Sequence, residues 1–298
     1  MRGNERWGES IDELRADMLR KRIVGSIILA AALTATAADA RAGDEFKYPD
    51  WSGQWRRVPD GGVPRYDPSK PLRGQQAPLT PEYRALHEAS MKEQDAGGHG
   101  LDEAYKCMPQ GMPRQMTGVF PFEFLIAAKV THILFEYMVQ TTRRIYTDGR
   151  DFPKDEEPTF AGYSIGKWVD EDGDGRYDVL EIETRNLRGP RTWDQSGMPM
   201  HADNEAVIKE RIYLDKANAD ILHNEMTTTD HSLTRPWSVM KNYRRVPKVM
   251  WTENNCVEGN QHVTIGKESY LLSADGHLMP TKKGQPPPDL RYFNPARK

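Results

Sequence analysis

Five carboxylates stand within nine residues of this chain: Asp170, Glu171, Asp172, Asp174 and Asp178. Side chains at the alternate positions 170, 172 and 174 can curl round one centre, and Gly175 permits the sharp turn that comes next. The carbonyl of Arg176 and the carboxylate of Asp178 then complete an oxygen cage at about 2.3 to 2.6 Å, the donor set of a hard divalent ion such as calcium. The expected metal-binding residues are therefore Asp170, Asp172, Asp174, Arg176 and Asp178. The competing reading is a solvated acidic hairpin tip.

A second population of acid–base groups lies downstream, at His201, Asp203, His223, Glu225, Asp230 and His231. Imidazole beside carboxylate can move protons near neutral pH, which makes these six the catalytic candidates. The plainer alternative is polar loop and surface residues satisfied by backbone. Ser164 in Gly162-Tyr163-Ser164-Ile165-Gly166 meets the Gly-x-Ser-x-Gly pattern of a hydrolase elbow. That elbow needs a strand–turn–helix context, whereas Ser164 sits inside a strand pattern. Arg144, Arg211 and Arg235, with Arg114, could hold an anionic ligand, and Glu136 and Trp237 complete the candidate ligand-binding residues. Arginine in a sheet protein is more often part of a surface ion pair.

These groups must be positioned by strands. Ile133–Tyr137, Arg144–Tyr146, Tyr163–Trp168, Asp178–Thr184, Val207–Leu214, Asp220–Thr228 and Trp237–Arg245 are short and rich in β-branched or aromatic residues, with turn clusters between them. Short strands at near-regular spacing, without helical crossovers, predict an antiparallel sandwich or barrel rather than a parallel α/β sheet. Alternation divides residues 207–213 into a Val207, Lys209, Arg211, Tyr213 face and an Ile208, Glu210, Ile212 face. His223 and Glu225 likewise share a face. Residues 43–118 read as a loop-rich region with one helix, capped by Thr80, opened by Pro81 and ended near Ala96. Residues 119–298 read as the barrel domain, with Gly284 to Pro288 starting an extended tail on the surface.

The chain has 298 residues and a formal net charge of -3, a balance that argues against a nucleic-acid partner. Residues 1–42 have the layout of a secretory signal peptide: a basic stretch from Met18 to Arg22, an apolar run from Ile23, and Ala40-Arg41-Ala42 as the cleavage pattern. Met18 is the more natural start for such a segment. The mature chain is then expected to be periplasmic or secreted, with no transmembrane segment. Export into an oxidising compartment favours a disulfide between Cys107 and Cys256, the chain's two cysteines. Two free thiols are the alternative.

The ordered elements Gly162–Trp168, His201-Ala202-Asp203-Asn204, Glu210–Tyr213, Thr234-Arg235-Pro236-Trp237 and Cys256–Asn260 resemble a family of uncharacterised secreted bacterial proteins. That resemblance covers roughly residues 105 to 265 and implies a mainly β, lipocalin-like barrel of the calycin type; no activity comes with it. The acidic loop is similar to the calcium-binding hairpins of integrin-type β-propeller repeats, and it matches an EF-hand loop through Glu181. Strand-like flanks argue against the helices of an EF-hand, which makes Glu181 a doubtful ligand and leaves its place in the site open.

Three function classes are compatible with these residues. The first is a binding module taking a small hydrophobic or aromatic molecule at a barrel mouth, with calcium in the hairpin loop. The second is a cofactor-free lyase, isomerase or hydrolase using the His/Asp/Glu set. The third is a calcium-stabilised envelope protein.

Overall fold

A computed structural model describes residues 47–136, 142–250, 256 and 261–291. The expected signal segment 1–42, Tyr137 and residues 257–260 lie outside the described residues. The chain divides into units 1–48 and 49–298, and the described strands and helices all belong to the second.

Nine strands close a barrel in sequence order: β1 (Gln54–Val58), β2 (Phe122–Ala127), β3 (Val130–Phe135), β4 (Arg143–Tyr146), β5 (Tyr163–Val169), β6 (Val179–Arg185), β7 (Val207–Leu214), β8 (Ile221–Thr229) and β9 (Trp237–Arg245). Closure comes from β9 pairing with β1, Trp55 opposite Arg245 and Val58 opposite Asn242. Neighbours are antiparallel except β4 and β5, which run parallel. The mainly β barrel expected from strand spacing is thus present. Its boundary is not at residue 118: β1, from the segment read as loop-rich, is a stave of the barrel. Three further strands, β10 (His262–Ile265), β11 (Glu268–Leu272) and β12 (Leu278–Pro280), form a separate sheet instead of extending the barrel. Residues 285–290 have no regular secondary structure, and the Tyr270 hydroxyl donates to the Pro286 carbonyl at 3.1 Å.

Strand alternation sets the interior. Ser164, Gly166 and Trp168 of β5 face inward with Leu180, Ile182 and Thr184 of β6, Ile208, Glu210 and Ile212 of β7, and Leu222, Asn224 and Met226 of β8. Gly166 is required by close approach, since a Cβ there would lie 2.6 Å from the Ile145 side chain. Burying these apolar groups supplies the main driving force for folding. Across the middle runs a polar belt. Arg143, 1% exposed, makes a two-pronged ion pair with Glu210 and donates from Nε to Ser164 at 3.2 Å and from Nη2 to Thr184 at 2.8 Å. Asn224 donates to the same Glu210 carboxylate at 2.9 Å. Groups buried this deeply persist only when partnered.

The N-terminal part of the unit packs onto this frame through aromatics. Tyr66, Trp193 and Trp237 form a buried cluster with ring centroids 4.4 to 5.3 Å apart. Helix α1 (Pro81–Asp95) starts as expected: Pro81 occupies the first turn, and the Thr80 hydroxyl accepts the Tyr83 N–H at 3.4 Å. Its C-cap is Ala96. Cys107 and Cys256 are bridged, Cα atoms 5.6 Å apart. Among the described residues, no helix is long and apolar enough to cross a membrane.

Candidate functional site

The strand ladder brings four of the six acid–base candidates together. His201 and Asp203 lie in the loop that leads into β7, and Asp230 and His231 come directly after β8. Because Val207 pairs with Thr229, those two chain segments meet at one end of the barrel. The Nδ1 atoms of His201 and His231 lie 2.8 and 2.5 Å from one oxygen, Oδ2 of Asp203. The two rings stand at 88°, centroids 5.5 Å apart, and Tyr83 from the first turn of α1 lies against His201 at 5.5 Å. Buried Asp230 accepts the His201 N–H at 3.0 Å and the Ser232 N–H at 2.9 Å through Oδ1, anchoring both ends of the cluster.

Electrostatics reflect the geometry. Partial burial acts to raise the Asp203 carboxyl, but hydrogen bonds from the Glu205 N–H and from His231 and His201 outweigh it and hold it down at about 2. The hydrogen bond to Asp203, and then its charge, push His231 upward. Arg191, 5% exposed, sits within the field of Asp230 and Asp203; burial lowers it, while those carboxylates pull it back up. Nothing in Gly189-Pro190-Arg191-Thr192 marks that arginine in the sequence, and nothing in Pro81-Glu82-Tyr83 marks that tyrosine.

The other two candidates separate from this group. His223 is on the outer face of β8, between Asn242 at 2.8 Å and Asp215 at 3.0 Å. Glu225 is exposed on the same face and accepts from the Tyr213 hydroxyl at 2.7 Å. Ser164 is fully buried, held by Arg143 and Thr184 inside a strand, so the elbow geometry is absent there.

The ligand-binding candidates do not form one site. Trp237 is in the buried aromatic cluster, and Arg114 is buried against Asp102 at 2.6 Å. Arg144 is exposed on the outer face of β4, Arg235 is exposed with Nη1 3.5 Å from the Pro236 carbonyl, and the Glu136 N–H donates to Pro121 at 3.3 Å. Arg211 lines an outer groove of about 490 Å³ over β5–β8, with Lys167, Glu181, Glu183, Lys209 and Glu225.

The acidic loop joins β5 to β6, at the end of the barrel away from His201. Asp170, Asp172 and Asp178 each bring an oxygen within 4.8 Å of the others. Backbone N–H groups fix these carboxylates: Gly173 and Gly175 donate to Asp170 at 2.7 and 2.9 Å, and Glu171 donates to Asp178 at 2.8 Å. Asp174 instead accepts the Arg176 N–H at 2.8 Å. Glu181 is exposed on the outer face of β6, opposite Lys167 and Arg211 in the ladder. Comparisons with protein-family models, with curated proteins and with solved structures find no match for this chain.

Proposed function

We propose that this chain is an exported, lipocalin-like binding module whose β5–β6 loop takes calcium. The observation that carries the reading is the convergence of oxygens from Asp170, Asp172 and Asp178, already oriented by loop N–H groups. The donors are all oxygen, as calcium prefers, and the Asp174 carboxylate and Arg176 carbonyl are close enough in sequence to complete the coordination. Export is supported by the bridged cysteine pair. For a small molecule, the outer groove offers room and alternating charge. Those walls suit a polar or zwitterionic ligand better than the hydrophobic or aromatic one expected at a barrel mouth, because aromatic and polar side chains occupy the barrel end and interior. The enzyme alternative is favoured by one observation, the convergence of His201, Asp203, Asp230 and His231.

Calorimetry of chelator-treated protein tests the loop. At a hundredfold excess over its dissociation constant, calcium adds about 2.7 kcal/mol, or roughly 5 to 10 °C in Tm for a domain of this size. Magnesium is expected to give little of this, since it demands a tight octahedron and dehydrates reluctantly. Asp172→Ala is expected to abolish the calcium shift. Equal Tm values with calcium and with chelator would leave the loop as a solvated turn.

A further inference from the structure

We infer that His201, Asp203 and His231 form a second metal site, for a divalent transition-metal ion of the zinc class. It goes beyond the calcium reading: two imidazoles and one carboxylate are nitrogen-rich, borderline-soft donors, which suit zinc and its neighbours and suit calcium poorly. The three ligand atoms lie within 4.8 Å of one another. A tetrahedral ion with bonds of about 2.0 to 2.1 Å holds its ligands roughly 3.3 Å apart. Reaching that spacing asks for small ring rotations, and His231, with 62% of its side chain exposed, is free to make them.

Hydrogen-bond accounting points the same way. His201 Nδ1 accepts the Asp203 N–H at 3.2 Å, so that nitrogen presents a lone pair. The same lone pair faces Asp203 Oδ2 at 2.8 Å, and one nitrogen cannot both accept from the amide and donate to the carboxylate. A metal ion drawing on that lone pair takes the place of the long amide contact, and Asp203 Oδ2 then faces the ion instead of the nitrogen. A separate observation is a pair of buried groups without partners. Asp230 commits Oδ1 to His201 and Ser232 while Oδ2 has no hydrogen-bond partner, and none of the three Arg191 guanidinium nitrogens has one. With neutral imidazoles, two carboxylates against one guanidinium leave the cluster negative. A divalent ion reverses that sign, and three protein ligands leave a fourth position for water or an anionic ligand, as in catalytic zinc sites.

The test uses the untagged full chain, stripped with chelator and titrated with zinc in competition with a chromogenic chelator. One zinc ion per chain is expected. His231→Ala and Asp203→Asn should each weaken it by on the order of a hundredfold, the upper end of what even outer partners of a metal contribute. Asp172→Ala should leave zinc affinity unchanged, and millimolar calcium should not displace the ion. Cobalt bound in place of zinc should give a visible absorption band that His231→Ala removes. Because His231 is exposed, its variant is expected to keep the native far-UV spectrum. Absence of zinc binding, an affinity unchanged from the parent in both site variants, or zinc lost in Asp172→Ala instead would each overturn the assignment. The calcium shift is read separately, so either site can fail without the other.

Discussion

Glu210→Gln would leave the Arg143 guanidinium charged inside the barrel without a counter-ion. The side chains are 1% and 0% exposed, so water cannot replace the lost charge. Removing one partner of a buried pair costs about 3 to 5 kcal/mol, a large share of the roughly 5 to 15 kcal/mol that holds a domain together. Removing both charges, in Arg143→Leu with Glu210→Leu, is expected to cost less than either single change. Ser164 and Thr184 would still bond each other at 2.8 Å, and the main orphan would be the Asn224 amide, worth about 1 to 3 kcal/mol. Additive behaviour would instead give roughly 6 to 10 kcal/mol for the double variant. Urea unfolding with the disulfide intact reads the parent, Glu210→Gln, the two single leucine variants and the double, and an unchanged m-value confirms that the same surface is exposed. Glu210→Gln within about 1 kcal/mol of the parent, or a double variant as unstable as the sum of the singles, would refute a dry, mutually dependent pair.

The bridge and the core each carry a further expected outcome. Cys107→Ser with Cys256→Ser releases a link spanning 149 residues and is expected to cost up to about 4 to 5 kcal/mol by chain entropy; unchanged unfolding in urea would count against the bond. Burial pushes Lys241 down to about 7 despite the attraction of Asp194, Asp67 and Glu210, so the unfolded chain holds this proton more tightly than the folded one. Stability should therefore rise by up to about 1.4 kcal/mol per pH unit above pH 7 towards the ordinary lysine range and be flat from this source below it. Unfolding of the parent and of Lys241→Met from pH 6 to 9 checks this, and parallel profiles would refute it.

What could be read from the sequence was local. Alternation placed β5, β6, β7 and β9 to within a residue at either end, and Thr80-Pro81 marked the start of α1, because pleat and capping act over a few residues. What escaped depended on pairing. β1 is Gln-Trp-Arg-Arg-Val, a charged strand whose ladder partners are β2 and β9, far along the chain. His223 and Glu225 share a face, as alternation required, but that face is the outer one. On the inner face of β7 and β8, Glu210 and Asn224 are buried, Asn224 bonding Glu210 and Glu210 pairing with Arg143, a meeting that only the folded barrel reveals. His201 and His231 are separated by a whole hairpin and become neighbours only because Val207 lies opposite Thr229.

The barrel therefore works as a spacer more than as a container. Its interior is occupied by the Arg143–Glu210 belt, Lys241 and inward-facing apolar groups, which pushes candidate chemistry to the outer face and the two ends. One end carries a hairpin loop of oxygen donors, and the other carries the loops before β7 and after β8 that bring imidazoles to a carboxylate. Between them lies β6, seven residues and so roughly 20 Å of strand, more than twice the Debye length of about 8 Å at physiological salt. Charge added at one end is screened before it reaches the other. Asp172→Ala and His231→Ala are accordingly each other's controls, and any loss of both ions in either variant would have to travel through the fold itself.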